Sequence, residues 1–480
     1  MRILLRSGRV VAAALIASAA AGLAACDIKE NLLEATDPDV IDPSSVQSAA
    51  GATAVRNGAL SRLRTATADG ESTWLFGGLL VDEWATSSTF VQNDETDQRQ
   101  TKLDNGTVQT ELRALYRVRT ASNQAIALLN QYKPQPAADV AEMYFARGFA
   151  ELQLASDFCN GIPLTDGAGD EIKYGEPLTV AQVFAVASAS FDSAMSIASG
   201  TDNASVTINR AARIGKARAL LGQGLSNAAA AAALVNGIPT SFRYDVTASL
   251  TGGSNTLWNQ PFSSNRYTLS DSVQGNARNI LVKNAIPFFS AKDPRVPSNY
   301  KIASNGKDTV KAQDGGTFVI EVQIWGQTSA VALTAGLDAR LIEAEAALKA
   351  GDAAGMMSIL NALRAAPQLI TSPSPNSTGT HPGLTTPVMP ALTDPGTQKG
   401  RENLLFREKA FWQFGRGFRL GDLRRLIRDY GRAADGSDAG GYPIGQHYKG
   451  GNFSVDLQLP VTTDEQVGNT NFTGCIDRKA

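Results

Sequence analysis

Histidine is almost missing from this chain. The 480 residues hold two, His381 and His447. Both fall in Gly- and Pro-rich stretches with no acidic residue close by in sequence, which leaves little material for a His-based triad or a zinc centre. No Gly-rich loop runs into Lys-Ser or Lys-Thr, so a phosphate cradle is absent too, and no cofactor motif stands in its place. Charge of one sign is also lacking: 44 Lys and Arg face 46 Asp and Glu, a formal net charge of -2. Nucleic-acid affinity needs clustered cations that release counterions, and no basic patch interleaved with aromatics occurs. Cysteine is limited to Cys26, Cys159 and Cys475.

What is there begins at the N-terminus. Arg2, Arg6 and Arg9 precede an Ala-rich apolar run from Val10 to Leu23, and Leu23-Ala24-Ala25-Cys26 follows. The run is shorter than the roughly 20 residues that cross a bilayer, and small residues before a cut mark a signal peptide. A Cys directly after that cut resembles the lipobox of bacterial lipoproteins, so residues 1–25 read as a signal peptide and Cys26 as the lipidated, acyl-bearing anchor. Lys29-Glu30 resembles the surface-export signal of Bacteroidetes-type lipoproteins, whereas Asp27 beside the Cys points to inner-membrane retention in an enterobacterial system. Residues 26–43, with Pro38 and Pro43, read as a tether. In an oxidising compartment Cys159 and Cys475 are expected to pair, with two separate thiols as the alternative.

Beyond the tether the pattern is mainly α, in stacked helix pairs with long irregular loops and little β structure. Asp139 with Glu142, and Thr179 with Gln182, look like capping boxes before helical stripes. Asn209 to Leu221 and Ser226 to Val235 predict two small-residue helices able to pack closely. Asp338 to Ala350, then Asp352 to Arg364, predict another pair split at Gly351. Arg401 to Phe414 and Phe418 to Tyr430 predict a last one, broken by Gly415 and Gly417. Units that cover one another's apolar faces imply tetratricopeptide-like stacking. Ser72 to Thr107, Pro239 to Pro297 and Ser372 to Thr397 read as long loops; the first two hold aromatics and the third reads as mobile.

Several of these segments resemble the SusD/RagB family, in the family's order: Leu115-Tyr116 to Asn123, Phe158-Cys159-Asn160-Gly161-Ile162-Pro163, Ala217-Arg218-Ala219-Leu220-Leu221 and Asp293-Pro294-Arg295. So do Arg340 to Ala346, Leu360 to Arg364, Arg407-Glu408-Lys409 and Gly417 to Arg425. The resemblance implies regions 44–270 and 271–480, an outer-membrane lipoprotein, capture of oligosaccharide or similar nutrients, and a TonB-dependent transporter as partner. Glu343, Glu345, Arg419 and Asp422 read as fold-building charges rather than catalysts.

Sugar recognition needs flat aromatic faces with hydrogen-bonding groups around them. Trp84, Phe90, Asn93 and Arg99 supply both in one loop, and Trp258, Asn259, Arg266 and Tyr267 in another, so these eight are the expected ligand contacts. Asn93 to Asp97 reads as a solvated acidic turn, with a calcium loop as the lesser reading. A scaffold that binds only proteins is the competing function, and a two-carboxylate glycosidase using Asp82-Glu83 or Asp94-Glu95 a lesser one.

Overall fold

The structure is a computed structural model that describes residues 46–70, 72–167 and 172–480. The expected signal peptide, Cys26 and the tether lie outside the described residues.

Helices dominate, and local chemistry sets most of their ends. Helix α1 (Ala49–Ala68) starts where the Ser48 hydroxyl accepts from the Gly51 N–H, and α2 (Thr73–Leu80) is capped by Ser72. A short α3 (Val91–Asp97) precedes the long α4 (Gly106–Tyr132), where Asn105 accepts from two first-turn N–H groups. Then come α5 (Ala137–Asp157) and α6 (Val180–Ile197), the latter opening on a complete Thr179–Gln182 capping box. Asp202 caps α7 (Asn203–Gln223), six residues ahead of the expected start, and α8 (Ala228–Val235) follows. The C-terminal half adds α9 (Gly336–Lys349), α10 (Ala353–Arg364) capped by Asp352, α11 (Gln398–Trp412), α12 (Arg419–Tyr430) and α13 (Thr463–Gly468). The expected Asp139–Glu142 box does not form: Pro136 precedes α5, and both carboxylates turn instead to Arg56 on α1. A tertiary cation outcompetes the local N–H groups there.

Small residues set the spacing of the stack. A Cβ at Gly215 of α7 would lie 2.5 Å from the Phe191 ring of α6, and one at Gly222 would lie 2.5 Å from Phe184. Glycine on one helix thus makes the hole that an aromatic ring of the next fills. Each buried ring contributes roughly 2 kcal/mol by area.

Among the described residues, strand structure is limited to two-stranded pieces. Strand β1 (Trp84–Thr86) pairs with β3 (Tyr267–Leu269), β2 (Arg243–Val246) with β6 (Val331–Ala335), and β4 (Ser298–Tyr300) with β5 (Ile320–Val322), all antiparallel. The β2–β6 pair crosses residue 270, and one hydrophobic cluster runs from Leu63 to Phe472. Packing is therefore continuous across the 270/271 division. Part of the Ser372 to Thr397 stretch, read from the sequence as a mobile loop, forms short antiparallel pairs, Ser374–Asn376 with Gly379–His381 and Leu384–Thr385 with Leu369–Thr371, and the Ser329 and Ser374 hydroxyls meet at 2.8 Å. Cys159, at the end of α5, is joined to Cys475 by a disulfide.

Charge is buried at the junction of α9, α11 and α12. Glu345 accepts from Lys409 at 3.1 Å, from the Tyr430 hydroxyl at 2.8 Å and from Arg425. Asp338 accepts from Arg416 at 2.8 Å and Gln413 at 3.0 Å. Arg295 bridges Asp293 and Glu408, each at 2.7 Å. Of the four charges that the sequence pattern marked as fold-building, Glu345 lies in this network and Asp422 joins it by accepting from Lys409 at 2.7 Å.

Candidate functional site

The two aromatic loops expected to carry ligand come together through β1 and β3, where Thr86 pairs with Tyr267. Ser87 extends the join by donating its N–H to the Arg266 carbonyl at 3.0 Å. The side chains then divide. Trp84 is fully buried, its ring 5.0 Å from that of Phe414. Tyr267 is buried and its hydroxyl accepts from the Asn93 amide at 3.2 Å. Arg99 is buried under Tyr442 and donates to the Asp456 and Pro443 carbonyls, both at 2.9 Å. This corrects the reading of Trp84, Asn93, Arg99 and Tyr267 as ligand contacts. They are the anchors that fasten the loops to the core, because large aromatics gain more from burial than from exposure.

The other four reach the surface. Phe90 is 46% exposed, with the Arg266 guanidinium 4.8 Å from its ring. Trp258 is half-buried and stacks on exposed Phe262 at 5.3 Å, and Asn259 beside it is half-buried.

Between the joined loops and the β4–β5 pair lies a cleft of about 650 Å³. Thr268 splices the two pairs: its hydroxyl accepts from the Ile320 N–H at 2.7 Å. Tyr300, Phe318 and Tyr448 offer ring surface, and Asp94, Arg278, Asp314 and Lys449 line the walls. Lys449 is held by Asp94 at 2.7 Å, the Ser88 carbonyl at 2.7 Å and Asp314 at 3.4 Å. It stands on a hairpin closed by the Gln446–Asn452 bridge, with Gly450 and Gly451 at positive φ supplying the turn. His447 fixes that hairpin from inside, its Nε2 lying 3.3 Å from Asp97, while Nδ1 accepts from the Lys449 N–H at 3.2 Å. The histidine therefore does have an acidic partner, brought from far away in sequence. Tyr448 donates to the same carboxylate at 3.0 Å.

The acids between Asn93 and Asp97 diverge instead of converging on one point. Asp94 meets Lys449, Glu95 meets Lys102 at 2.5 Å, and Asp97 turns inward to His447. Asp82 and Glu83 are buried, and burial raises Glu83 to about 8 and Asp82 well above the ordinary carboxylate range. Arg278, Tyr300, Asp314, Phe318, Tyr448 and Lys449 were not foreseen. They lie on four separate stretches of the chain, and the Gly-rich turn near Lys449 leaves a local trace.

No protein-family model matches the sequence, and no curated protein matches it. Solved structures do. A SusD superfamily protein from Bacteroides fragilis aligns over 89% of this chain and 99% of its own, at 16% identity and a TM-score of 0.58. One from Parabacteroides distasonis covers 88% and 98%, at 14% identity and 0.58. A SusD-like carbohydrate binding protein from Bacteroides vulgatus covers 78% and 83%, at 15% identity and 0.51. The chain thus has the SusD-superfamily fold, a tetratricopeptide-like helical stack carrying an irregular loop region.

Proposed function

We propose that this protein is a carbohydrate-binding SusD-type lipoprotein that takes oligosaccharide in the cleft between the joined loops and the β4–β5 pair. The observation that carries the reading is the cleft itself, whose volume of about 650 Å³ falls in the ordinary range for small-ligand sites. Ring faces at Tyr300 and Phe318 suit the apolar side of a sugar, and the charged walls suit its hydroxyls. A relative by fold is described as a SusD-like carbohydrate binding protein, which supports the same class. Exposed Phe90 and half-buried Trp258 extend the contact surface on flanking loops.

Binding proceeds without turnover in this account. A glycosidase needs one carboxylic acid kept protonated at the scissile bond. Asp94 and Asp314 share Lys449, and Asp271 is taken by Arg278. Asp82 and Glu83 are protonated more readily, yet both are sealed in the interior. The burial of Trp84 and Tyr267 favours the protein-only scaffold, since neither presents a sugar platform. The cleft, which a scaffold does not need, outweighs it.

Cys26 anchors the chain to the outer membrane, and a TonB-dependent transporter receives the ligand. Affinity purification of the full chain from outer membranes, with mass spectrometry of the lipidated N-terminal peptide, tests both parts. Acylated Cys26 and a co-purifying transporter-sized protein are expected. An unmodified Cys26 or a solitary protein contradicts the reading.

A further inference from the structure

A second cavity, of about 50 Å³, lies inside the helical stack between α5, α7, α9 and α12. Its walls are mostly apolar, with Leu152, Phe184 and Leu341 among them, yet Arg218, Lys409, Arg424 and Arg425 also face it. Three acids nearby are already committed, and a fourth, Asp157, lies within electrostatic reach of both Arg218 and Arg424 but is raised by burial to about 7. Asp422 accepts from Lys409 at 2.7 Å, Glu345 from Lys409, Arg425 and Tyr430, and Asp338 from Arg416 and Gln413.

Two cations there keep N–H groups without a hydrogen-bond partner among the described residues. The Arg218 guanidinium sits over the Phe418 ring, 3.7 Å from its centroid, and its buried Nη1 has no hydrogen-bond partner among the described residues. Arg424 is buried and spends Nη1 on the Ala155, Ser156 and Phe158 carbonyls, while its Nε and Nη2 have no hydrogen-bond partner among the described residues. Burial lowers both guanidinium groups to about 10, so they stay charged at neutral pH. Unpaired buried donors on charged groups are costly, and the cost is relieved by a counter-charge.

We propose that this cavity binds one small monovalent anion of the halide class, held by Arg218 and the unpaired edge of Arg424. The volume exceeds the 10–15 Å³ or so that one water needs. The apolar walls disfavour sulfate or phosphate, whose several oxygens would want more donors than the cavity presents. A weakly hydrated ion loses less on entering such walls, so bromide should bind at least as well as chloride.

Thermal unfolding of the full chain in sodium chloride, sodium bromide and sodium sulfate at matched ionic strength tests the site. Anomalous diffraction from bromide-soaked crystals supplies an independent readout. The expected result is a Tm that rises and saturates with halide, following one-site linkage, and a bromide peak beside Arg218. Arg218→Met should abolish the halide-specific rise; should that variant fail to fold, the bromide peak in the unaltered protein still decides. An equal Tm rise in sulfate, or a cavity holding only water in the presence of bromide, overturns the proposal.

Discussion

Two buried glutamates show how far a neighbour decides a residue's chemistry. Burial pushes Glu345 up, but Arg425 and Lys409 overcome it and hold the group at about 2. Glu83 is equally buried and has Arg419 only at longer range and the Gly415 N–H at 3.4 Å, so desolvation wins and raises it to about 8. Their pH signatures are opposite. Glu345 contributes stability above the unfolded-state value near 4.5, and that stability is lost as pH falls toward 2. Glu83 contributes stability below pH 4.5 that is lost as pH rises through 8. Glu83→Gln should therefore remove about one proton's worth of stability loss between pH 5 and 8, read from denaturant unfolding across that range; an unchanged slope contradicts the assignment. Glu345→Gln leaves Arg425 and Lys409 without their charge partner and should cost about 3–5 kcal/mol at pH 7 in the same measurement. The role of Glu345 was legible as a charged position among apolar helix residues. That of Glu83 was not, because its pairing partners lie more than half the chain away.

At the scale of elements, the sequence announced helices wherever a cap and a stripe were both local. Thr179–Gln182, Asp352 and the Gly415/Gly417 break all fall where the spacing placed them. It failed where a distant residue intervened, as Arg56 does for Asp139 and Glu142, and where short elements formed in a polar stretch. Ser72 to Thr107 reads as loop by composition, yet it holds α2, β1 and α3 because Trp74, Phe76 and Trp84 are drawn into the core. The small-residue helices were visible as alanine and glycine content, but which glycine meets which ring was not. Gly215→Ala tests that contact: its Cβ must displace Phe191, and a loss of about 1–3 kcal/mol is expected despite alanine's better helix propensity. A gain in Tm would mean the ring moves aside freely.

Across the whole molecule, the disulfide ties residues 316 apart in sequence and fixes the C-terminal tail to the end of α5. Chain-entropy reasoning gives such a closure on the order of 5 kcal/mol, so Cys475→Ser should lower denaturant stability by a few kcal/mol, an effect that reductant reproduces in the parent protein. No loss on reduction would mean the tail is held by other contacts. The site was legible only in part. The two loops that the sequence singled out do come together through β1 and β3, but of their aromatics Trp84 and Tyr267 are buried anchors while Phe90 and Trp258 reach the surface, and a single sequence does not separate a buried tryptophan from an exposed one. The cleft wall built from β4, β5 and the 446–452 hairpin depends on tertiary pairing and left almost no local trace.

Calorimetric titration of the mature protein with a panel of oligosaccharides, repeated on Tyr300→Ala and Lys449→Met, tests the central claim most directly. At least one oligosaccharide should bind, and the two cleft variants should weaken it about tenfold or more while unfolding at close to the parent temperature. Binding that both variants leave intact, or no binding across a broad panel, would contradict the account.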